Sequence, residues 1–259
     1  MGKLEVHGVN KAFQGKGKSR LVVVSDVSLT VDQGEFVSII GPSGCGKSTL
    51  LDMVAGLTAP DEGNILFDGR SIVGKKGMVS YMPQKDVLFP WRTILENVIV
   101  PMEIQGVKKI AAKEEALSYF PLFGLEKFAE SYPHVLSGGM RQRASFLRTF
   151  LCKKELMLLD EPFGKLDAMT RMHIQQWLLK MWQTFKHSIL FVTHDVDEAI
   201  LLSDRVYVMS PRPGRILAEV KIPLPRPRQP KLTTDPSFSL IKTELLQILE
   251  EGVFSKTID

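Results

Sequence analysis

Residues Gly41-Pro42-Ser43-Gly44-Cys45-Gly46-Lys47-Ser48, followed by Thr49, set three spaced glycines ahead of a lysine and a hydroxyl. Glycines at 41, 44 and 46 let the backbone curl until successive N–H groups point inward, holding an anion where a side chain would collide with it. The loop stands between an apolar run, Phe36 to Ile40, and a helix opening at Ser48, whose positive N-terminal end adds to the attraction. Lys47 reaches toward β and γ phosphates as a point charge, and the Ser48 hydroxyl suits Mg²⁺. The complete pattern in its strand–loop–helix setting predicts a nucleoside triphosphate site at Gly41 to Thr49.

Two further stretches carry the same theme. Leu156 to Leu159 is a continuous apolar run that ends in Asp160 and Glu161. Where parallel strands share a sheet, their C-terminal ends face one crevice, so both carboxylates would meet the nucleotide. Asp160 suits Mg²⁺ through water, and Glu161 suits polarising the water that attacks the γ phosphate. Paired acids at a strand end also serve as ordinary caps; the glycine-rich loop favours the chemical reading. Ser137-Gly138-Gly139 is the second stretch, an N-cap residue type and two glycines ahead of a helix carrying Arg141, Arg143 and Arg148.

The elements that must position these residues follow from periodicity. Residues 4 to 9 and 21 to 31 alternate in polarity, and Gly63 to Asp68 with Gly69 reads as strand and turn, which predicts a small antiparallel β layer. Phe36 to Ile40, Leu156 to Leu159 and Ile189 to Thr193 are continuous, predominantly apolar runs, as parallel strands covered on both faces are. Thr93 to Val100, Lys109 to Phe120 and Gly139 to Leu151 are candidate helices punctuated by prolines. The expected class is α/β with a helical insert, divided as core (1–85), helical subdomain (86–150), core again (151–220) and a proline-rich stretch with a last helix (221–259), where Pro236 to Glu251 is amphipathic.

Composition narrows the classes. In 259 residues no apolar run approaches the ~18 needed to span a membrane. The start shows no secretory pattern, and two cysteines, Cys45 and Cys152, suggest neither a disulfide framework nor a zinc site, so a cytosolic setting is expected. Net charge is +4 with the basic residues scattered among acids, which argues against a nucleic-acid footprint; the densest basic stretch is Lys16 to Arg20.

In order and spacing these stretches resemble the ATP-binding cassette family, the ATPase subunits of ABC transporters. The resemblance rests on Gly41 to Ser48, Gln84 at the end of Met78-Val-Ser-Tyr-Met-Pro-Gln84, Leu136 to Gln142, Leu158 to Pro162, Asp167, and His194 in Phe191-Val-Thr-His-Asp195. Glu161 to Arg171 and Val206 to Ile216 are most similar to the nitrate, sulfonate, taurine and bicarbonate importer branch. The resemblance implies a P-loop NTPase core with a RecA-like parallel sheet, and ATP and Mg²⁺ as cofactors. It implies that Gln84 senses Mg²⁺ and the attacking water, that His194 contacts the γ phosphate, and that Phe13 stacks on adenine; a core phenylalanine is the competing reading. It further implies a homodimer with each nucleotide between the phosphate loop of one copy and Ser137, Gly138 and Gly139 of the other, with Asp167 at the seam. The expected partners are integral-membrane permease subunits and, indirectly, an extracytoplasmic solute-binding protein. The expected location is the cytoplasmic face of the inner membrane. Leu88, Phe89 and Trp91 would be exposed for a permease; burial in the core is the competing reading. Two departures from the family pattern are Lys165, where alanine is common, and Leu147-Arg148-Thr149 in place of Ala-Arg-Ala. The alternative is a non-transport cassette acting on nucleic acid, for which a long coiled-coil insert would be expected.

Overall fold

The computed structural model describes residues 3–15, 20–164 and 166–254; Lys16 to Ser19 and Lys165 lie outside them. The chain begins with β1 (Leu4–Gln14), β2 (Arg20–Val31), β3 (Phe36–Ile40), α1 (Lys47–Val54), β4 (Glu62–Phe67), β5 (Arg70–Ser71) and β6 (Ser80–Met82). Helices follow as α2 (Ile94–Val98), α3 (Val100–Ile104), α4 (Lys109–Phe123) and α5 (Gly138–Phe150). Then come β7 (Leu156–Asp160), α6 (Ala168–Phe185), β8 (Ser188–Val192), α7 (Val196–Leu202), β9 (Arg205–Met209), β10 (Ile216–Lys221) and α8 (Pro236–Phe254).

The first sheet is antiparallel in the order β2-β1-β4-β5. Its alternating residues Leu4, Val6, Val27, Leu29 and Val31 turn inward, and Asp68-Gly69, both at positive φ, closes the tight turn from β4 to β5. The second sheet runs β10-β9-β3-β8-β7-β6, with only the edge strand β10 antiparallel. Every residue of β3, β7 and β8 is buried, the outcome expected of apolar runs covered on both faces. Strand β7 extends to include Asp160, and β8 starts and stops one residue before the run read from sequence. Three clusters fill the interior. One lies between the parallel sheet and α2 to α6, one between the two sheets and α1, and one under α7 and α8. In the first, Phe36 meets Phe191 and Trp182 edge to face at centroid distances of 5.8 and 6.1 Å.

Prolines interrupt the helices less than their positions suggest. Pro101 sits in the first turn of α3, where its missing N–H costs nothing. Pro121 lies within the last turn of α4, which continues to Phe123 because Phe120 and Phe123 are both buried against the core and Gly124 supplies a left-handed stop.

The proline-rich stretch after β10 is held firmly. Arg228 is buried and donates to the carbonyls of Leu224, Ile200, Ser203 and Ile222, while Arg226 bonds Asp204 and lies 4.0 Å over the Trp182 ring. Phe238, Ile241 and Leu245 of α8 then pack against α7 and β9. Replacing Arg228 with alanine strips four buried carbonyls of their donor and is expected to cost about 3 kcal/mol, read as a lower denaturant midpoint at unchanged slope. A loss below about 1 kcal/mol would mean that Arg228 does not fasten the stretch.

Candidate functional site

The glycine-rich loop joins β3 to α1, so its position is set by the buried central strand. Gly46 adopts φ 113°, and a Cβ there would stand 2.9 Å from Val24 Cγ2 and 3.0 Å from the Val23 carbonyl, so both conformation and space exclude a side chain. Lys47 is almost fully buried, and its Nζ donates to the carbonyls of Gly41 (2.8 Å) and Pro42 (3.1 Å). Cys45, although within the loop, takes no part in lining the cavity beside it. Its side chain is buried in the core between the sheets, burial raises its pKa, and only its main chain is left for an anion.

Three neighbouring strand ends converge beside the loop. Glu161 leaves β7 at φ 41°, a conformation that costs a non-glycine residue ~1–3 kcal/mol, and its N–H donates to the Val192 carbonyl of β8 at 2.9 Å. Gln84, just past β6, donates from Nε2 to Glu161 Oε2 at 3.0 Å, and His194, just past β8, places Nδ1 3.3 Å from the same oxygen. One carboxylate is thus steadied from both sides. Ser48 donates to Asp160 Oδ1 at 3.1 Å, and Tyr81 donates to Asp52 Oδ1 at 3.2 Å. Burial, opposed by the Ser48 bond and reinforced by Glu161 and Asp52, raises the Asp160 carboxyl above its ordinary pKa.

This donor set fits Mg²⁺. It offers hard oxygens of Ser48 and Asp160 with the Gln84 amide close by, and a local excess of negative charge that a divalent cation would relieve. Among the described residues no three His, Cys, Asp or Glu side chains gather into a metal cage, and Mg²⁺ needs none when phosphates supply ligands.

A cavity of about 420 Å³ is lined by Ser43, Gly44, Gly46, Lys47, Ser48, Thr49, Gln84 and Glu161, joined by Val23 and Arg212. That volume lies in the range of small-molecule sites. Phe13, Ser137, Gly138, Gly139 and Asp167 stand outside its lining. Phe13 is half-exposed on β1 opposite Leu21, with Lys11 Nζ 5.5 Å from its ring centre. Ser137 caps α5, accepting from the Met140 N–H at 3.3 Å. Gly138 is exposed, but Gly139 is buried, and a Cβ on it would come 2.6 Å from Thr170 Cγ2 of α6; this glycine serves helix packing rather than only baring the backbone. Asp167 caps α6, and the Thr170 N–H it accepts holds its carboxyl below the ordinary pKa.

Helix α5 and the segment just after Gln84 are tied together. Arg148 of α5 donates to the carbonyls of Asp86 (2.7 Å) and Val87 (2.8 Å), Arg141 reaches the Asp86 carboxylate at 3.3 Å, and Ser145 bonds the Asp86 carbonyl at 3.3 Å. Leu147 and Thr149, the bulkier residues flanking Arg148, are both buried. Beyond this segment Trp91 is 72% exposed, but Leu88 is buried in the core and Phe89 half-buried. The exposed apolar surface expected there reduces to Val87 and Trp91.

A buried carboxyl lies behind the His194 turn. Glu198 accepts from the Thr193 hydroxyl (2.6 Å) and Gln175 (3.1 Å), with Arg171 3.8 Å away and Asp195 close by, and burial pushes its pKa up to about 7. A carboxyl raised on folding favours the native state while protonated, so stability falls as pH rises from about 4.5 to about 7 and then levels, by ~3 kcal/mol. Glu198→Gln should remove that slope, gaining ~2–3 kcal/mol on the wild type between pH 5 and pH 8 in urea melts. An equal gap at both pH values would reject it.

Residues 24–164, more than half of the chain, match the family model described as ABC transporter. The chain belongs to the ABC transporter family. Among relatives of this ABC cassette, the aliphatic sulfonates import ATP-binding protein SsuB of Bacillus cereus is 39% identical over 254 residues, covering 98% of each chain. The formylaminopyrimidine import ATP-binding protein ThiZ of Halalkalibacterium halodurans is 47% identical over 201 residues, 78% of each. A solved dimeric ATP-binding cassette in a post-hydrolysis state, bound to ADP and Pi, superposes with a TM-score of 0.75 at 29% identity, covering 85% of this chain and 98% of that one. The fold is that of an ABC cassette, a P-loop NTPase of mixed α/β type. Val23 and Arg212 of the cavity, and Tyr81 and Asp52 beside Asp160, were not assigned to the site from the sequence of this cassette. Tyr81 lies inside the quoted Met78 to Gln84 stretch, and Arg212 lies inside the quoted Val206 to Ile216 stretch, so in both cases the motif was visible and the side chain's direction was not.

Proposed function

We propose that this chain is the ATP-hydrolysing subunit of an ABC importer, two copies of which close around two MgATP. The observation that carries the reading is the single Glu161 carboxylate held by Gln84 and His194 at the rim of the Lys47 loop. Loop amides and Lys47 bind the phosphates; Ser48, Asp160 and Gln84 would hold Mg²⁺, which would supply charge neutralisation to the phosphates. Glu161 accepts a proton from the attacking water, with Gln84 fixing the orientation of its carboxylate. His194, exposed at its strand end, reaches the γ phosphate, and Phe13 serves as the base platform.

Ser137, Gly138 and Gly139 serve the nucleotide of a second copy, with Asp167 at the seam; Ser137, Gly138 and Asp167 are exposed at the starts of α5 and α6, where a second copy can reach them. When the γ phosphate bridges two chains, its binding favours the closed pair and its loss releases it. The solved relative is dimeric with ADP and Pi, in keeping with this cycle.

The relatives named for sulfonate and formylaminopyrimidine import differ in solute while sharing this framework, so solute choice belongs to the partners, permease subunits and an extracytoplasmic binding protein. Among the described residues no helix is long and apolar enough to cross a membrane, and the proposed station is the cytoplasmic face, with Trp91 and Val87 beside the permease. Expression with the neighbouring permease should give membrane co-purification and ATPase stimulated by loaded binding protein. Salt-dependent stimulation by DNA or RNA, with no membrane retention, would instead support a nucleic-acid cassette.

A further inference from the structure

The turn from Ser210 to Arg215, between β9 and β10, has no part in the chemistry above, yet it lies against the phosphate loop. Gly214 donates to the Val23 carbonyl at 2.9 Å and accepts from the Ser25 N–H at 3.0 Å, forming a bridge to β2. A Cβ on Gly214 would fall 2.2 Å from the Cys45 carbonyl oxygen, so the turn sits flush on the loop backbone where no side chain fits. Ser210 Oγ lies 3.0 and 3.1 Å from the carbonyls of Pro211 and Pro213 and accepts from the Arg215 N–H at 3.0 Å, closing the turn on itself. From this fixed base Arg212 lines the same cavity as Lys47, Ser48 and Thr49. Its guanidinium has no hydrogen bond or ion pair to any described residue, although it is a fork of donors shaped for phosphate oxygens.

We propose that Arg212 is a nucleotide-binding residue that contacts the α- and β-phosphate side of the bound nucleotide. The side follows from strand order. Gln84, Asp160, Glu161 and His194 all come from β6, β7 and β8, on one flank of β3, whereas the Arg212 turn follows β9 on the other flank. The turn is anchored on Val23 to Ser25 of β2, the strand whose Leu21 pairs with Phe13. Arg212 thus approaches from the flank away from the residues grouped around Glu161.

The proposal rests on the Gly41 to Thr49 loop being the nucleotide site, and the test separates the two. Fluorescent ATP and ADP analogues with Mg²⁺ are titrated into wild type, Arg212→Ala, Arg212→Lys and Lys47→Ala, each checked by thermal melting without nucleotide. Arg212→Ala is expected to weaken both nucleotides about 5- to 20-fold, equally for the two, with the unliganded melt unchanged and part of the affinity restored in Arg212→Lys. Unchanged affinity in Arg212→Ala, with Lys47→Ala weakened, overturns the proposal and leaves the site standing. A loss for ATP alone overturns the assigned side. Unchanged affinity in both alanine variants removes the site and the proposal together. A lowered melt in Arg212→Ala with full affinity recovered in Arg212→Met, which keeps the stem, overturns the charge contact in favour of packing.

Discussion

Replacing Glu161 with glutamine should lower steady-state ATP hydrolysis by about 10²–10⁴-fold while MgATP binding persists, the range that a positioned general base contributes. Glutamine matches glutamate in shape, and at φ 41° the backbone strain is common to both, so the variant removes a proton acceptor and little else. The amide oxygen still accepts from Gln84, which keeps the strand ends aligned. With the bond-cutting step slowed, MgATP should hold chains in a closed pair, visible as a dimer in size-exclusion chromatography with light scattering. Hydrolysis at the wild-type rate would remove Glu161 from the role of base. A monomer that keeps its bound ATP would remove the closing cycle.

Lys47→Ala should reduce nucleotide affinity by roughly 10- to 150-fold, the equivalent of the ~1.5–3 kcal/mol that hydrogen bonds to charged groups contribute. Its burial argues for the upper part of that range, because Coulombic attraction is least screened where water is excluded. Gly41 and Pro42 lose a donor in the same variant, so an unliganded melt must accompany the titration. A folded variant with wild-type affinity would show that the loop does not grip phosphate through this side chain.

How far the sequence carries the reader depends on whether local pattern or tertiary position decides. Phe36 to Ile40 is read to the residue, since a mostly apolar run, broken only by Ser38, is bounded by Glu35 and Gly41. The position of Glu161 is legible for the same reason, as a strand end after four apolar residues carries its acids to the crevice beside the loop. Helix ends are less so. Pro121 signals a break, yet Phe120 and Phe123 keep α4 going because their burial outweighs one missing hydrogen bond. Exposure and core burial both fit Leu88 in sequence, and burial wins because the turn around Asp86 folds back on α5, a contact no spacing rule encodes. Arg212, Arg228 and Glu198 are ordinary charged residues in sequence. Their meaning comes from what the sheet order brings beside them.

The three bonds from α5 onto Asp86 have a mechanical corollary. Gln84 is two residues from that clamp and touches Glu161 at its other end, so a tilt of α5 cannot leave the Gln84 amide where it was. A shift of α5 is therefore passed through Asp86 toward Gln84 and the Glu161 carboxylate proposed as the base, along the chain itself rather than through the bound nucleotide.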